Sequence, residues 1–148
     1  MSKDNRLRAL GIARSWLGTP YRHQGSTKGI GCDCLGLLRG VWRELCGAEP
    51  EEPGAYARSW SLRAGPDRLM DAAQQHLVPV EPDSAMPGDV LLFRWRSGAP
   101  ATHCAILDEG GRIIHAYQGA AVVSTALPKS WRGRIAGAFR YPSSQLVE

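Results

Sequence analysis

Two cysteines one residue apart, Cys32 and Cys34, enclose Asp33 in the stretch GIGCDCLGLLRG, with glycines on both sides and an apolar run behind. Such residues can ligate a metal, close a disulfide, fill a core or supply a nucleophile. Zinc pairs are usually spaced C-x2-C or wider, and Cys32-Asp33-Cys34 is too tight to clasp one tetrahedral ion; Cys104 beside His103 has the same fault. The four cysteines, Cys32, Cys34, Cys46 and Cys104, are too few for a disulfide scaffold in a chain of 148 residues. A nucleophile has a specific physical argument behind it. Cys34 opens a predicted helix, where unpaired backbone N–H groups and the helix dipole favour thiolate over thiol. Cys46 falls at the far end of that helix, where the dipole opposes a thiolate, and reads as packing.

A thiolate nucleophile needs a base, and the base needs a group that orients it. His103 starts one predicted strand and His115 ends the next, twelve residues later. A hairpin turning at Gly110-Gly111 lays strand start beside strand end, so one imidazole can support the other. Two histidines that only hydrogen-bond within a sheet would show the same spacing. His23, in the loop before the cysteines, can line a site. His76 lies on a predicted helix beside Leu77 and reads as a surface or half-core residue.

The elements that must position these groups follow from periodicity and turn residues. Residues 5–17 predict a helix with Leu7, Leu10, Ala13 and Leu17 at three- and four-residue intervals and Gly18 as its stop. The loop TPYRHQGSTKGIG follows. The second helix begins near Asp33 or Cys34, with Cys34, Leu37, Leu38, Val41 and Leu45 as an inward stripe and Gly47 at its end. Residues 47–66 are rich in Pro, Gly and Glu and predict an irregular surface crossing; DRLMDAAQQHL, from Asp67, predicts a short third helix. The pattern then changes. MPGDVLLFRW reads as a turn and a strand, HCAILDE and RIIHAY as a hairpin, and AVVSTAL and RIAGAFRY as two more strands. Helices first, strands second and no βαβ alternation give an α+β class, with helices packed on an antiparallel sheet.

Composition narrows the function classes. A hydrophobic content of 43% and a charged content of 22% suit one globular domain, taken as 1–148, with one core. The formal charge of +4 fits an anionic polymer such as cell wall or nucleic acid. The cations are scattered and no nucleic-acid motif appears, so nucleic-acid binding is not expected. No run approaches the roughly 20 apolar residues of a membrane-spanning helix, and MSKDNRLRALGIARSWLG lacks the apolar stretch and cleavage site of a signal peptide. The expectation is a chain made in the cytoplasm, without membrane insertion, that reaches any external substrate by another route.

Taken in order, GTPYRHQG, GCDCLGL, PGDVLLF, THCAIL and IIHAY resemble the NlpC-type cell-wall peptidases, a branch of the papain-like cysteine peptidases, over roughly residues 7–141. That family carries a PYxxGG-like segment, a DCSGL/F-like segment holding the nucleophile, a PGDL-type turn and an HVGI segment followed by a second polar residue. WLGTPYRHQG and DCLGLLRGVWREL are most similar to the phage-type and gene-transfer-agent branch of tail-associated wall peptidases. The resemblance implies a papain-like fold, with Cys34 as nucleophile, His103 as general base and His115 as the residue that orients it. It implies for Tyr21 an active-site hydroxyl near the nucleophile or a developing oxyanion, against the alternative of a core aromatic held by Pro20. Asp33 matches the acid before the nucleophile and also fits a helix N-cap. The chain departs from the pattern at Leu35, where the family often has Ser, and at His23 and Gln24 in the substrate-side loop. Cys32 has no counterpart and stands as a neutral loop residue; replacing Cys32, Cys46 or Cys104 is expected to leave turnover intact.

The implied reaction is hydrolysis of amide bonds in peptidoglycan stem peptides, without a metal or organic cofactor. The implied setting is a phage-like particle, with tail proteins as partners and a role in opening the wall for DNA entry. Two other readings keep the fold: a tail-tip structural or wall-binding protein with a weak or inactive site, and a Cys–His acyltransferase or amidase.

Overall fold

The computed structural model describes residues 2–51, 67–117 and 119–143. The predicted crossing at 47–66 lies outside these from residue 52 onward. Helix α1 spans Ser2–Ser15 and ends ahead of Gly18, whose φ of 88° suits a residue without a Cβ. Its buried side differs from the expected stripe. Ala9, Leu10, Ala13 and the following Trp16 are buried, whereas Leu7 and Leu17 are 47% and 44% exposed. The large Trp16 ring decides this rotation: it packs against Gly40 of the next helix, where any Cβ would collide with it, and its Nε1 donates to Glu44 at 3.0 Å.

Two short strands, β1 (Ser26–Thr27) and β2 (Gly31–Cys32), pair antiparallel and lead into α2 (Cys34–Leu45). Asp33 is the N-cap of α2, with Gly36 N–H donating to its Oδ1 at 2.8 Å. The predicted stripe is the buried one: Leu37, Leu38, Val41 and Leu45 are each 7% exposed or less. Helix α3 (Arg68–His76) follows, then β3 (Val78–Val80), β4 (Val90–Phe93), β5 (His103–Leu107), β6 (Arg112–Ala116), β7 (Val122–Ala126), the short α4 (Lys129–Arg132) and β8 (Ile135–Arg140).

Strands β3 to β8 form one antiparallel sheet in the order β3-β8-β4-β5-β6-β7. Side chains alternate across it. Leu92, Cys104, Ile106, Ile114 and Ala116 join the core under α1 and α2. Leu91, Phe93, Ala105 and Ile113 form a second core closed by Trp95 and Trp131. The PGD turn is fixed by Asp89, fully buried, which accepts from Arg140 Nε and Nη2 at 2.8 and 2.9 Å and so ties the start of β4 to the end of β8. Helices α1, α2 and α3 pack on one face of the sheet and α4 sets Trp131 against the other; helices packed on an antiparallel sheet are the α+β arrangement expected. Strand β3 and helix α4 escaped the sequence reading because both are short, and β3 (Val-Pro-Val) has no alternation to reveal it.

Candidate active site

The N-terminus of α2 sets the position of Cys34. Asp33 does more than cap the helix: its Oδ2 accepts from Gln24 N–H at 2.7 Å and lies 3.9 Å from His23 Nδ1. One carboxylate therefore clamps the 22–25 loop onto the helix start. The fit leaves no room for side chains, since a Cβ on Gly36 would fall on the Gly25 carbonyl oxygen. Tyr21 enters from the other side, bridged through its backbone to Cys32 and donating its N–H to Ala120 O at 3.3 Å. Tyr21, His23 and Gln24 are thus gathered around the nucleophile turn. Leu35 points elsewhere, lining a groove between α2 and α3 with Leu38, Trp42 and Leu77.

The histidines arrive from the sheet. His103 Nε2 and His115 Nδ1 are 2.8 Å apart, and the rings meet edge-on with centroids 5.1 Å apart. Trp131 stands edge-on to both rings, at 5.6 and 5.7 Å, and Trp95 stacks on His103 at 5.9 Å. This aromatic wall leaves His115 only 3% exposed. Burial first, and the neighbouring His103 second, lower the His115 pKa to about 4. His115 is therefore neutral at neutral pH, with one ring nitrogen free to accept.

The four thiols differ sharply. Hydrogen bonding from Cys104, then from His103, holds Cys34 well below the ordinary thiol range, against the opposing effects of burial and Asp33. Cys104 is fully buried and pushed well above that range, by burial first and by its hydrogen bond to Cys34 second. Cys104 therefore keeps its proton and donates it to the Cys34 sulfur. Burial raises Cys32 to about 12 and Cys46 to about 11. Cys104 is the residue that sequence reasoning passed over. It is next to His103 in sequence but belongs to the opposite face of β5, and the packing of α2 on that face brings it to Cys34. A cysteine on the helix-facing side of the strand that carries the base is a usable signal once the sheet is placed.

Among the described residues, no group of three or more histidine, cysteine, aspartate or glutamate side chains is placed to hold a metal ion, and no helix is long and apolar enough to cross a membrane. The arrangement suits acyl transfer: a sulfur held toward its thiolate at a helix N-terminus, an imidazole against it, and a second, neutral imidazole behind the first.

An α+β fold with a cysteine at a helix start and histidines on the facing sheet defines the papain-like class. The description "NlpC/P60 family" matches residues 18–140, and the chain belongs to that family. It is 28% identical over 115 residues to "Probable endopeptidase NlpC" of Escherichia coli (strain K12), covering 77% of this chain and 63% of that protein. It is 26% identical over 130 residues to "Gamma-DL-glutamyl hydrolase" of Bacillus subtilis (strain 168), covering 87% of this chain and 28% of that protein. The chain thus spans less than two thirds of either relative. The crystal structure of the NlpC/p60 domain of peptidoglycan hydrolase SagA superposes with a TM-score of 0.62 at 24% identity, over 90% of this chain and 97% of that one, and shows the shared fold.

Proposed function

We propose that this protein is a cysteine endopeptidase that hydrolyses amide bonds in peptidoglycan stem peptides. One observation carries the reading: Cys104 first and then His103, whose Nε2 is paired with His115 Nδ1 at 2.8 Å, lower the pKa of Cys34 at the N-terminus of α2. With Nε2 engaged, His103 Nδ1 is the nitrogen that serves Cys34. The Cys34 thiolate attacks the amide carbonyl carbon, and the developing oxyanion is held by the Cys34 backbone N–H in the first helical turn, a role that the family resemblance extends to the Tyr21 hydroxyl. His103 gives its Nδ1 proton to the leaving nitrogen as the C–N bond breaks, leaving a thioester on Cys34. Water then attacks the thioester, His103 takes a proton from that water, and the acid product departs as the thiolate re-forms. His115 keeps the His103 ring in place throughout. The loop clamped by Asp33, with His23 and Gln24, forms one wall for the substrate.

The family membership and the relatives' names support peptidoglycan as substrate, and the net charge of +4 suits an anionic polymer. The test is digestion of purified peptidoglycan with the protein and with Cys34→Ala, with products identified by mass. New free amino and carboxyl termini in stem peptides, made only by the unsubstituted protein, are expected; intact muropeptides with both would remove the proposal.

The wording of WLGTPYRHQG and DCLGLLRGVWREL supports a more particular setting, a phage-like tail that opens the wall for DNA entry, with tail proteins as partners. Particles from a producing strain are then expected to contain the chain, and Cys34→Ala particles to deliver poorly into cells with intact walls. Absence from particles, or equal delivery, would leave a wall peptidase without this role.

A further inference from the structure

We infer that Thr125 is a positioning residue of this site: its hydroxyl accepts the Nε2 proton of His115 and holds that ring in the tautomer whose bare Nδ1 receives a proton from His103. The inference rests on the proposed roles of Cys34, His103 and His115. Thr125 Oγ1 lies 3.2 Å from His115 Nε2, so both nitrogens of the His115 ring have one partner each. A neutral imidazole has one donor and one acceptor. Were the proton on Nδ1, it would point at His103 Nε2. That arrangement fails whenever His103 is an imidazolium, because two N–H groups then face each other across 2.8 Å. With the proton on Nε2, His103 donates from its own Nε2 in both protonation states and cycles only the proton on the side facing Cys34.

The productive tautomer buries an N–H that needs an acceptor. His115 is 3% exposed, so bulk water is a poor substitute, and an unmatched buried donor is costly. Thr125 supplies that acceptor. The backbone explains why it can: in the β6–β7 pairing Ile113 faces Thr125 and His115 faces Val123, so Thr125 is the diagonal neighbour of His115 on the same side of the sheet. The adjacent Ser124 is anchored, its Oγ donating to Asp108 Oδ2 at 2.9 Å while Arg14 donates to Asp108 Oδ1 at 2.7 Å. The low pKa of His115 agrees with a ring that stays neutral at neutral pH.

The experiment compares the full chain with Thr125→Val and Thr125→Ser. Nitrogen-15 spectra of the imidazoles report the His115 tautomer directly, and alkylation of Cys34 reports the Cys–His pair without any wall substrate. Wild type is expected to carry the His115 proton on Nε2. Thr125→Val is expected to populate the Nδ1–H form, slow Cys34 alkylation and lower kcat by about tenfold, the scale of one buried hydrogen bond, with KM within about twofold. Thr125→Ser is expected to restore all three. A wild-type His115 protonated on Nδ1 overturns the inference without any variant. So does a Thr125→Val protein with wild-type tautomer and alkylation rate, or equal losses in Val and Ser. If no wall fragment is released but tautomer and alkylation respond as described, the peptidase reading fails while the positioning role stands.

Discussion

His103 and His115 touch across the β5–β6 hairpin although the strand register does not set them face to face. Ile106 pairs with Ile114 and Leu107 with Ile113, and the same register continued would place His115 opposite Ala105. The histidines are diagonal neighbours, two residues offset, and their rings lean together to a 2.8 Å contact. Trp131 stands edge-on to both rings and packs against the pair. The arrangement predicts unequal roles. His103→Ala should cost about 100- to 10,000-fold in kcat through lost proton transfer. His115→Asn should retain more activity than His115→Ala, because an amide oxygen still accepts from His103 Nε2. Steady-state kinetics on a soluble stem peptide checks both, and unchanged turnover in His103→Ala would move the base elsewhere.

The cysteines should separate into three classes. Cys34→Ala should abolish turnover and labelling by iodoacetamide at neutral pH. Cys32→Ala and Cys46→Ala should leave both nearly unchanged in molecules that fold, since burial keeps those thiols protonated up to about 12 and about 11. Cys104→Ala removes the S–H donated to Cys34 and should raise the midpoint of the Cys34 alkylation profile, whereas Cys104→Ser keeps a donor and should shift it less. Identical profiles for wild type and Cys104→Ala would show that the Cys104 proton does not support the thiolate.

The difference between Cys34 and Cys104 marks how far the sequence could be read. Cys34 was legible because its surroundings are local: an acid at the N-cap and an apolar stripe with helical spacing carry the argument within twelve residues. The histidine pair was legible because a hairpin is nearly local, with two glycines at its turn. Cys104 and Thr125 were not, because each depends on which face of a strand meets which neighbour. The same limit explains α1, where the Leu7, Leu10, Ala13 and Leu17 stripe is displaced by a Trp16–Gly40 contact between helices that the chain separates by a whole loop.

Stability should depend on pH through His115. Its folded pKa of about 4 lies below its ordinary value of 6.5, so between these values the unfolded chain binds more protons than the folded one. Stability is therefore fully present above about 6.5, falls as pH drops toward 4, and has lost about 3 kcal/mol from this group at the bottom of that window. Denaturant titrations at a series of pH values should show this slope in wild type and a flatter one in His115→Asn. Parallel slopes would assign the pH dependence to other groups.

Two glycines in helices should respond oppositely to alanine. Gly36 lies where a Cβ would strike the Gly25 carbonyl, a backbone atom that cannot swing aside. Gly36→Ala must push the 22–25 loop away from α2, lengthening the contact between Gln24 N–H and Asp33 that now stands at 2.7 Å. A loss of about 1–3 kcal/mol is expected from such overpacking, and kcat/KM should fall with it because Cys34 and the substrate wall shift relative to each other. Gly11, inside α1, has nothing within 4 Å of an added Cβ. Gly11→Ala should gain up to about 1 kcal/mol from helix propensity and leave kcat/KM unchanged. Thermal melts of both variants beside their kinetics decide the matter: a Gly36→Ala protein as stable and active as wild type would mean that the loop gives way freely and that the Asp33 clamp does not hold the site together.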